Sequence, residues 1–374
     1  MTFSTSSSAS RRMLVLLAGV LAAQSTGAMA ADAADVVPRL GMVALFPVEN
    51  LTGTQAPVRA ILPVLEAELA RRGVDVVAGE RLAAFLARHR VRYTGGLDAE
   101  VARAAREELG VDAVLLTSWL TRQEGPPRSA FSMRLVSTDP EPKVLWMGGS
   151  ALSGDQSPGL FNLGLEGDPR IVQARALGAI LDDLASFVWS KAPPASACNV
   201  AGWYQPRSSY SAPIDLREPR TVLVLPFVNF VGRRGAGEVV ANEFARQFLA
   251  RPEFRLVEPG LVRKKLLDER VVMENGVSLD QARTVAHALQ GELVLAGYVF
   301  AFDDSSGIPQ VNVTAMLIER RTGRVVWEST SYNGGDDGGT VFGLNRVRTA
   351  TDLACRMMSS VVDQLVRRAR ASRG

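Results

Sequence analysis

The sequence predicts an α/β chain: an α+β arrangement of mixed sheets flanked by helices, laid out as two tandem copies of one domain. Three observations carry this. The pattern P-x-x-N-x-x-G follows an apolar run twice, in VALFPVENLTG (Val43–Gly53) and TVLVLPFVNFVG (Thr221–Gly232), so that Pro47, Asn50 and Gly53 recur as Pro226, Asn229 and Gly232 at a shift of 179 positions. Behind each motif a helical face repeats in the same register, with Ile61, Leu65 and Leu69 matching Val240, Phe244 and Phe248 at the i, i+4, i+8 spacing of one buried stripe. An alternating strand and a hairpin partner then end in VLW at Trp146 or VVW at Trp327.

The elements follow in order. A Ser-rich start, Arg11–Arg12, the apolar run Met13–Ala23 and Ala28-Met29-Ala30 make the n-region, h-region and A-x-A site of a secretory signal over residues 1–30, with cleavage expected after Ala30. The run falls well short of the roughly 20 apolar residues of a spanning helix. No other segment is long enough, so no transmembrane span is expected once the signal is removed. Arg11-Arg12 hints at twin-arginine export, but the rest of that motif is missing and general secretion is expected. No cysteine lies near the cleavage site, so the mature chain is expected to be unlipidated, soluble and periplasmic, meeting the outer membrane only through a partner.

The first copy spans 41–190 and the second 220–371. After the motif and its helix come short strands at Val76-Val77 and Leu256-Val257, then Leu97-Asp98 and Leu279-Asp280, where Asp can cap a helix running to Leu109 or Leu289. The apolar runs after Asp112 and Glu292 are short enough for buried strands. Phe131/Met133/Leu135 pair by pattern with Val311/Val313/Leu317, and after the hairpins Gly154-Asp155, Phe161 and Leu163 match Gly335-Asp336, Phe342 and Leu344 at a shift of 181. The closing helices match at Leu177/Met358, Ile180/Val361, Leu181/Val362 and Leu184/Leu365. Between the copies, Lys191–Glu218 is rich in Pro and Ser without helical or strand period and reads as a linker over 191–218, with Trp203, Tyr204 and Tyr210 placed to dock on a domain surface.

Composition limits the function classes. The 374 residues are 47% hydrophobic and 22% charged, enough for two real cores. The formal charge of +3 includes Arg11 and Arg12, which leaves the exported part at +1. A nucleic-acid partner calls for a strong basic excess; the cluster Arg367, Arg368, Arg370 and Arg373 is explained by a helix C-terminus. Cys198 and Cys355 can pair or remain free thiols, since export permits a disulfide and sequence does not report Cα separation.

No catalytic, metal or cofactor set emerges. His89 and His287 each sit in a helical pattern without a Cys, Asp or Glu at metal spacing. Gly232–Gly237 lacks the Lys of a phosphate loop and the third glycine of a dinucleotide fingerprint. Gly148–Leu152 misses the nucleophile elbow at its fifth residue, and Asn333–Gly339 lacks the alternating acids of a calcium loop. The repeated loop itself has two readings. In the structural one Pro ends a strand, Asn makes an Asx turn and Gly supplies an unusual φ. In the functional one, loops at the carboxyl ends of first strands bind partners, which makes Glu49, Asn50, Thr52, Gly53, Asn229, Gly232, Arg233 and Arg234 the candidate contact residues, with Glu49, Thr52, Arg233 and Arg234 facing solvent.

With these motifs each copy resembles the CsgG/LpoB-type domain, close in fold to the amino-terminal domain of TolB. Glu258-Pro-Gly-Leu261, Leu266-Leu267-Asp268-Glu269 and Arg321-Thr-Gly-Arg324 carry it best; the first copy departs at Asp139-Pro-Glu-Pro142 and at Pro63, where a kink is expected. The resemblance implies a non-catalytic periplasmic adaptor or regulator of envelope machinery, such as a peptidoglycan-synthase activator or Tol-type accessory protein. The alternative it implies is an oligomeric secretion or assembly component, curli-channel-like or flagellar, although no inserted pair of amphipathic barrel strands is present. A hydrolase is a remote third. Envelope proteins are the expected partners, with self-association open.

Overall fold

The structure is a computed structural model that describes residues 40–156, 164–190, 192–195, 198, 204–271, 277–304, 307–337 and 346–371. The expected secretory signal, Trp203, and the Phe161, Leu163, Phe342 and Leu344 matches lie outside the described residues.

Each half is built on a short strand that is apolar on both faces. β1 (Val43–Leu45) is buried throughout and runs parallel between β3 (Val76–Val77) and β4 (Ala113–Glu124), the setting that an unbroken apolar run requires. β5 (Pro127–Ser137) and β6 (Val144–Ser153) extend the sheet antiparallel in the order β3-β1-β4-β5-β6, with β2 (Glu49–Asn50) also beside β4. The second half repeats the plan. β8 (Arg220–Val224) lies between β10 (Phe254–Leu256) and β11 (Leu293–Asp303), followed by β12 (Gln310–Glu319) and β13 (Arg324–Gly334), with β9 (Val228–Asn229) beside β11. The fold is α+β, with two mixed sheets.

Register repeats as well as order. The ladder shifts between Trp119 and Thr121 in β4 and between Val299 and Ala301 in β11, then again after Leu135 and after Leu317. Trp119 pairs with Phe131 and Val299 with Val313. The structural counterparts of Phe131, Met133 and Leu135 are therefore Val313, Ala315 and Leu317, which corrects the Val311/Val313/Leu317 matching. The cause is the longer connection between Asp303 and Gln310, which moves the later ladder two positions along the chain.

Helices complete the layers. α1 (Val58–Arg71) and α4 (Pro169–Ser190) cover one face of the first sheet, Ile61, Leu65, Leu69 and Leu181 packing with Trp119, Phe131 and Trp146. α1 continues through Pro63 to Arg71 as one helix. α2 (Gly79–Arg88) and α3 (Ala99–Ala104), the latter prolonged by a π turn over Ala105–Leu109, cover the opposite face near β1. Asp98 caps α3 by accepting from the Glu100 and Val101 N–H groups at 3.0 and 2.9 Å. In the second half α5 (Ala236–Leu249) and α8 (Ala350–Ala371) occupy the places of α1 and α4, and α6 (Pro259–Asp268) and α7 (Leu279–Ala288) those of α2 and α3. Asp280 is not the cap of α7. Ser278 is, in a reciprocal capping box with Gln281 that satisfies two end donors together.

The stretch read as a linker is not a free tether. Arg207–Tyr210 forms β7, antiparallel to β13 at the edge of the second sheet, while Tyr204, Ile214 and Leu216 are buried in the core of that half. The strand escaped the sequence pattern because RSSY has no apolar alternation; its ladder with β13 rather than burial of one face holds it.

The described residues form one compact unit. Its layers run α1/α4, first sheet, α5/α8, second sheet. α5 and α8 are thus packed on two sides: against their own sheet, and against the outer face of β4, β5 and β6, where the Arg246 guanidinium lies over Gly149 and the Thr121 and Thr351 hydroxyls stand 3.2 Å apart. Burial follows from this position. α5 buries ten of its 14 residues, whereas α1 buries Ile61, Leu65 and Leu69 alone; β5 is buried at every residue, whereas β12 alternates.

Candidate protein-binding surface

The two repeated loops make the same turn. Asn50 Oδ1 accepts from the Thr52 N–H at 3.1 Å and its amide donates to the Thr54 carbonyl at 2.7 Å; Asn229 does the same with Val231 at 3.1 Å and Arg233 at 2.7 Å. The positive φ falls on Gly53 (+78°) in the first loop but on Gly235 (+79°), the residue before α5, in the second. Gly232 therefore does not supply the unusual φ.

Stacking of the halves brings these loops against each other. A Cβ on Gly53 would stand 3.1 Å from Arg233 Cγ and 3.2 Å from the Arg234 carbonyl, and one on Gly235 would stand 3.2 Å from the Leu51 carbonyl. Of the candidate contact residues, Asn50, Gly53, Gly232 and Arg234 are exposed, Glu49, Asn229 and Arg233 are half-buried, and Thr52 is buried. Thr52 faces inward because its hydroxyl closes the Asn50 turn at 2.8 Å. Arg233 reaches across to the first half, donating to the Leu120 carbonyl and to Thr121 Oγ1 while lying 4.6 Å over the Phe302 ring; burial lowers its pKa, opposed by Asp304 and Asp303. Thr52 and Arg233 are thus not solvent-facing.

The same seam holds a buried polar network that the sequence did not reveal. Glu258, which caps α6 through the Gly260 N–H at 3.0 Å, also accepts from the Leu97 N–H at 3.2 Å and pairs with Arg134 of β5 at 3.5 Å. Arg134 donates in addition to the Gly95 carbonyl and to Asn242 Oδ1 of α5. Beside it, a narrow cleft holds Glu49, Tyr93, Glu238 and Arg263. Burial raises the Glu49 carboxyl above its ordinary 4.5, the hydrogen bond from Ser118 at 2.7 Å pulling the other way; burial, then the charge of Glu49, raises the Tyr93 phenol, whose ring carries the Arg263 guanidinium at 4.1 Å. Glu258, Arg134 and Arg263 each meet a group of the other half. The arrangement joins the halves.

Cys198 and Cys355 form a disulfide with Cα atoms 5.7 Å apart, tying the inter-repeat segment to α8. With Glu243 they make the one group of metal-type side chains among the described residues. Both sulfurs are consumed in the bond, and Glu243, raised by burial against the pull of its partner Arg246, is an ion-pair member, so the set does not suit a metal ion.

The outer face of the second sheet presents a group of exposed aromatics. Phe230 and Tyr332 are 62% and 60% exposed and Phe300 47%. Phe230 stacks on Tyr298 at 5.9 Å and on Phe300 at 5.5 Å, with Thr314 and Thr330 joined by a 3.0 Å hydrogen bond alongside. Clustered exposed aromatics rimmed by polar groups mark binding surfaces. The corresponding face of the first sheet is covered, so Leu51, Leu120 and Ala151, which match Phe230, Phe300 and Tyr332, belong to or pack against the core shared by both halves. A sequence signal existed in part: GYVFAF in β11 places Tyr298, Phe300 and Phe302 on one parity, and the register shift between Val299 and Ala301, which the sequence does not show, turns Phe302 into the core and leaves Phe300 outside.

No protein-family model and no curated protein matches the chain. Among solved structures, a PelC dodecamer from Paraburkholderia phytofirmans is similar over 43% of this chain and 98% of that one, at 20% identity and TM-score 0.31. An LpoB C-terminal domain from Salmonella enterica is similar over 32% and 86%, at 19% identity and TM-score 0.27, and a lipoprotein from Neisseria meningitidis over 39% and 96%, at 15% identity and TM-score 0.28. These are distant likenesses of fold for part of the chain. Among the described residues, no helix is long and apolar enough to cross a membrane.

Proposed function

We propose that this protein is a non-catalytic binding protein of the cell envelope that captures a protein partner on the outer face of its second sheet. The observation that carries the reading is the cluster of exposed Phe230, Phe300 and Tyr332 with the half-buried Tyr298 on the second sheet. The disulfide and the secretory signal expected from the sequence support an oxidising, periplasmic setting. Regulation of a peptidoglycan synthase or service to a Tol-type system falls within this reading, and both require presentation of a surface rather than turnover. Thr52 and Arg233 turn inward, whereas Phe230 of the second Asn-Gly loop belongs to the aromatic group, so the proposed face includes that part of the loop.

The test is photo-crosslinking in cells from position 300, with position 267 as control, since Leu267 is also exposed (52%) but lies on α6. A specific partner recovered from 300 and lost on Tyr332→Glu supports the proposal; recovery equal from both positions overturns it.

A further inference from the structure

The two halves are stacked head to tail, and this leaves one copy of each half of their joint unused. Inside the chain, the α5/α8 layer sits on the outer face of the first sheet. The equivalent sheet face, on the second half, is the open aromatic one. The equivalent helix face, on the first half, is α1/α4, and it is open too.

At several positions that helix face is apolar where its buried counterpart is polar, although Arg170 stands at the place of Thr351 and Glu66 at that of Ala245. Asn242, Glu243 and Arg246 of α5 meet the first sheet or lie buried beside it; their matches on α1 are Pro63, Val64 and Ala67, all exposed, Val64 by 44%. Asp352 and Cys355 of α8 match Ile171 (41% exposed) and Ala174 on α4. Small and branched apolar groups on a helical layer suit close packing on a sheet that bears large aromatics.

Building on the proposed binding role of the second sheet, we infer that the partner on this face is the α1/α4 face of a second copy of the same chain. The contact repeats, between molecules, the joint already made within each one. It is heterologous: each chain offers a sheet end and a helix end, so the association continues beyond a dimer until it closes on itself or grows. The physical warrant is continuity. The covered joint in the middle of the stack is the template, and both exposed ends carry apolar groups at several of the template's own positions.

Sedimentation of the full-length protein tests this, together with two variants. Phe300→Glu/Tyr332→Glu removes the sheet end, and Val64→Glu/Ala67→Glu removes the helix end; all four residues are exposed, so the fold should be retained, as circular dichroism will verify. The wild type is expected to form species larger than a dimer with rising concentration, each variant to sediment as a monomer, and the two variants mixed one to one to form a dimer and nothing larger, because one intact sheet end then meets one intact helix end. A helix-end variant that still assembles overturns the inference in favour of a symmetric sheet-to-sheet contact. A wild type that stays monomeric overturns it as well; crosslinks from position 300 to another envelope protein would then leave the binding role standing, and their absence would remove that too.

Discussion

Replacing Arg134 by Met should cost about 3–5 kcal/mol, the range for removing one member of a buried ion pair and leaving its partner uncompensated. The geometry supports the full range rather than its lower edge: the Arg134 side chain is 4% exposed and that of Glu258 0%, and Glu258 keeps only the Leu97 and Gly260 N–H donors once the guanidinium is gone. Gly95 and Asn242 each lose a charged donor in the same step. Against a typical total of about 5–15 kcal/mol, this is a large fraction. Because the pair spans the seam, the loss should also loosen the coupling between the halves. Urea unfolding followed by tryptophan fluorescence and by circular dichroism reads both effects, since Trp119 and Trp146 report on the first half and Trp327 on the second. The wild type should unfold in one transition by both probes. Arg134→Met/Glu258→Gln should recover most of the loss, as Gln keeps an acceptor for the two N–H groups while removing the stranded charge. A single variant within about 1 kcal/mol of wild type, or a double variant no better than the single, would refute the reasoning.

Opening the disulfide by Cys198→Ser should lower stability by about 2–4 kcal/mol, because the bond closes a segment of 157 residues in the unfolded chain; superimposable unfolding curves with and without reductant would contradict this. Glu49→Gln tests the cleft. A carboxyl with a raised folded pKa favours the fold at and below the ordinary value of 4.5 and loses that contribution as pH rises through the folded value. Wild type should therefore gain stability as pH falls from neutral toward 4.5 relative to Glu49→Gln, and the variant should be the more stable of the two at pH 7. Parallel melting profiles against pH would be the contrary result.

The repeat was legible because periodicity is a local property. Ile61, Leu65 and Leu69, and their matches Val240, Phe244 and Phe248, each mark the side of a helix that meets its own sheet, and all six are buried. The Asx turns were legible for the same reason, since Asn50 and Asn229 bond within four residues. β7 was not, for its hold comes from a ladder with residues more than a hundred positions away. Nor was the cap of α7, where Ser278 outcompeted the Asp280 suggested by alignment with Asp98.

The sequence by itself determined the pattern of elements, the shared plan of the two halves and the chemistry of their loops, all of which depend on neighbours a few residues apart. Only the tertiary structure decided which faces are covered. Leu51 and Phe230 occupy the same place in the same motif and are both apolar, yet one is 7% exposed and the other 62%. Their difference lies in no local pattern: the α5/α8 layer seals the first sheet, and among the described residues nothing equivalent seals the second, because a head-to-tail stack of two modules always leaves one face of each kind without its partner.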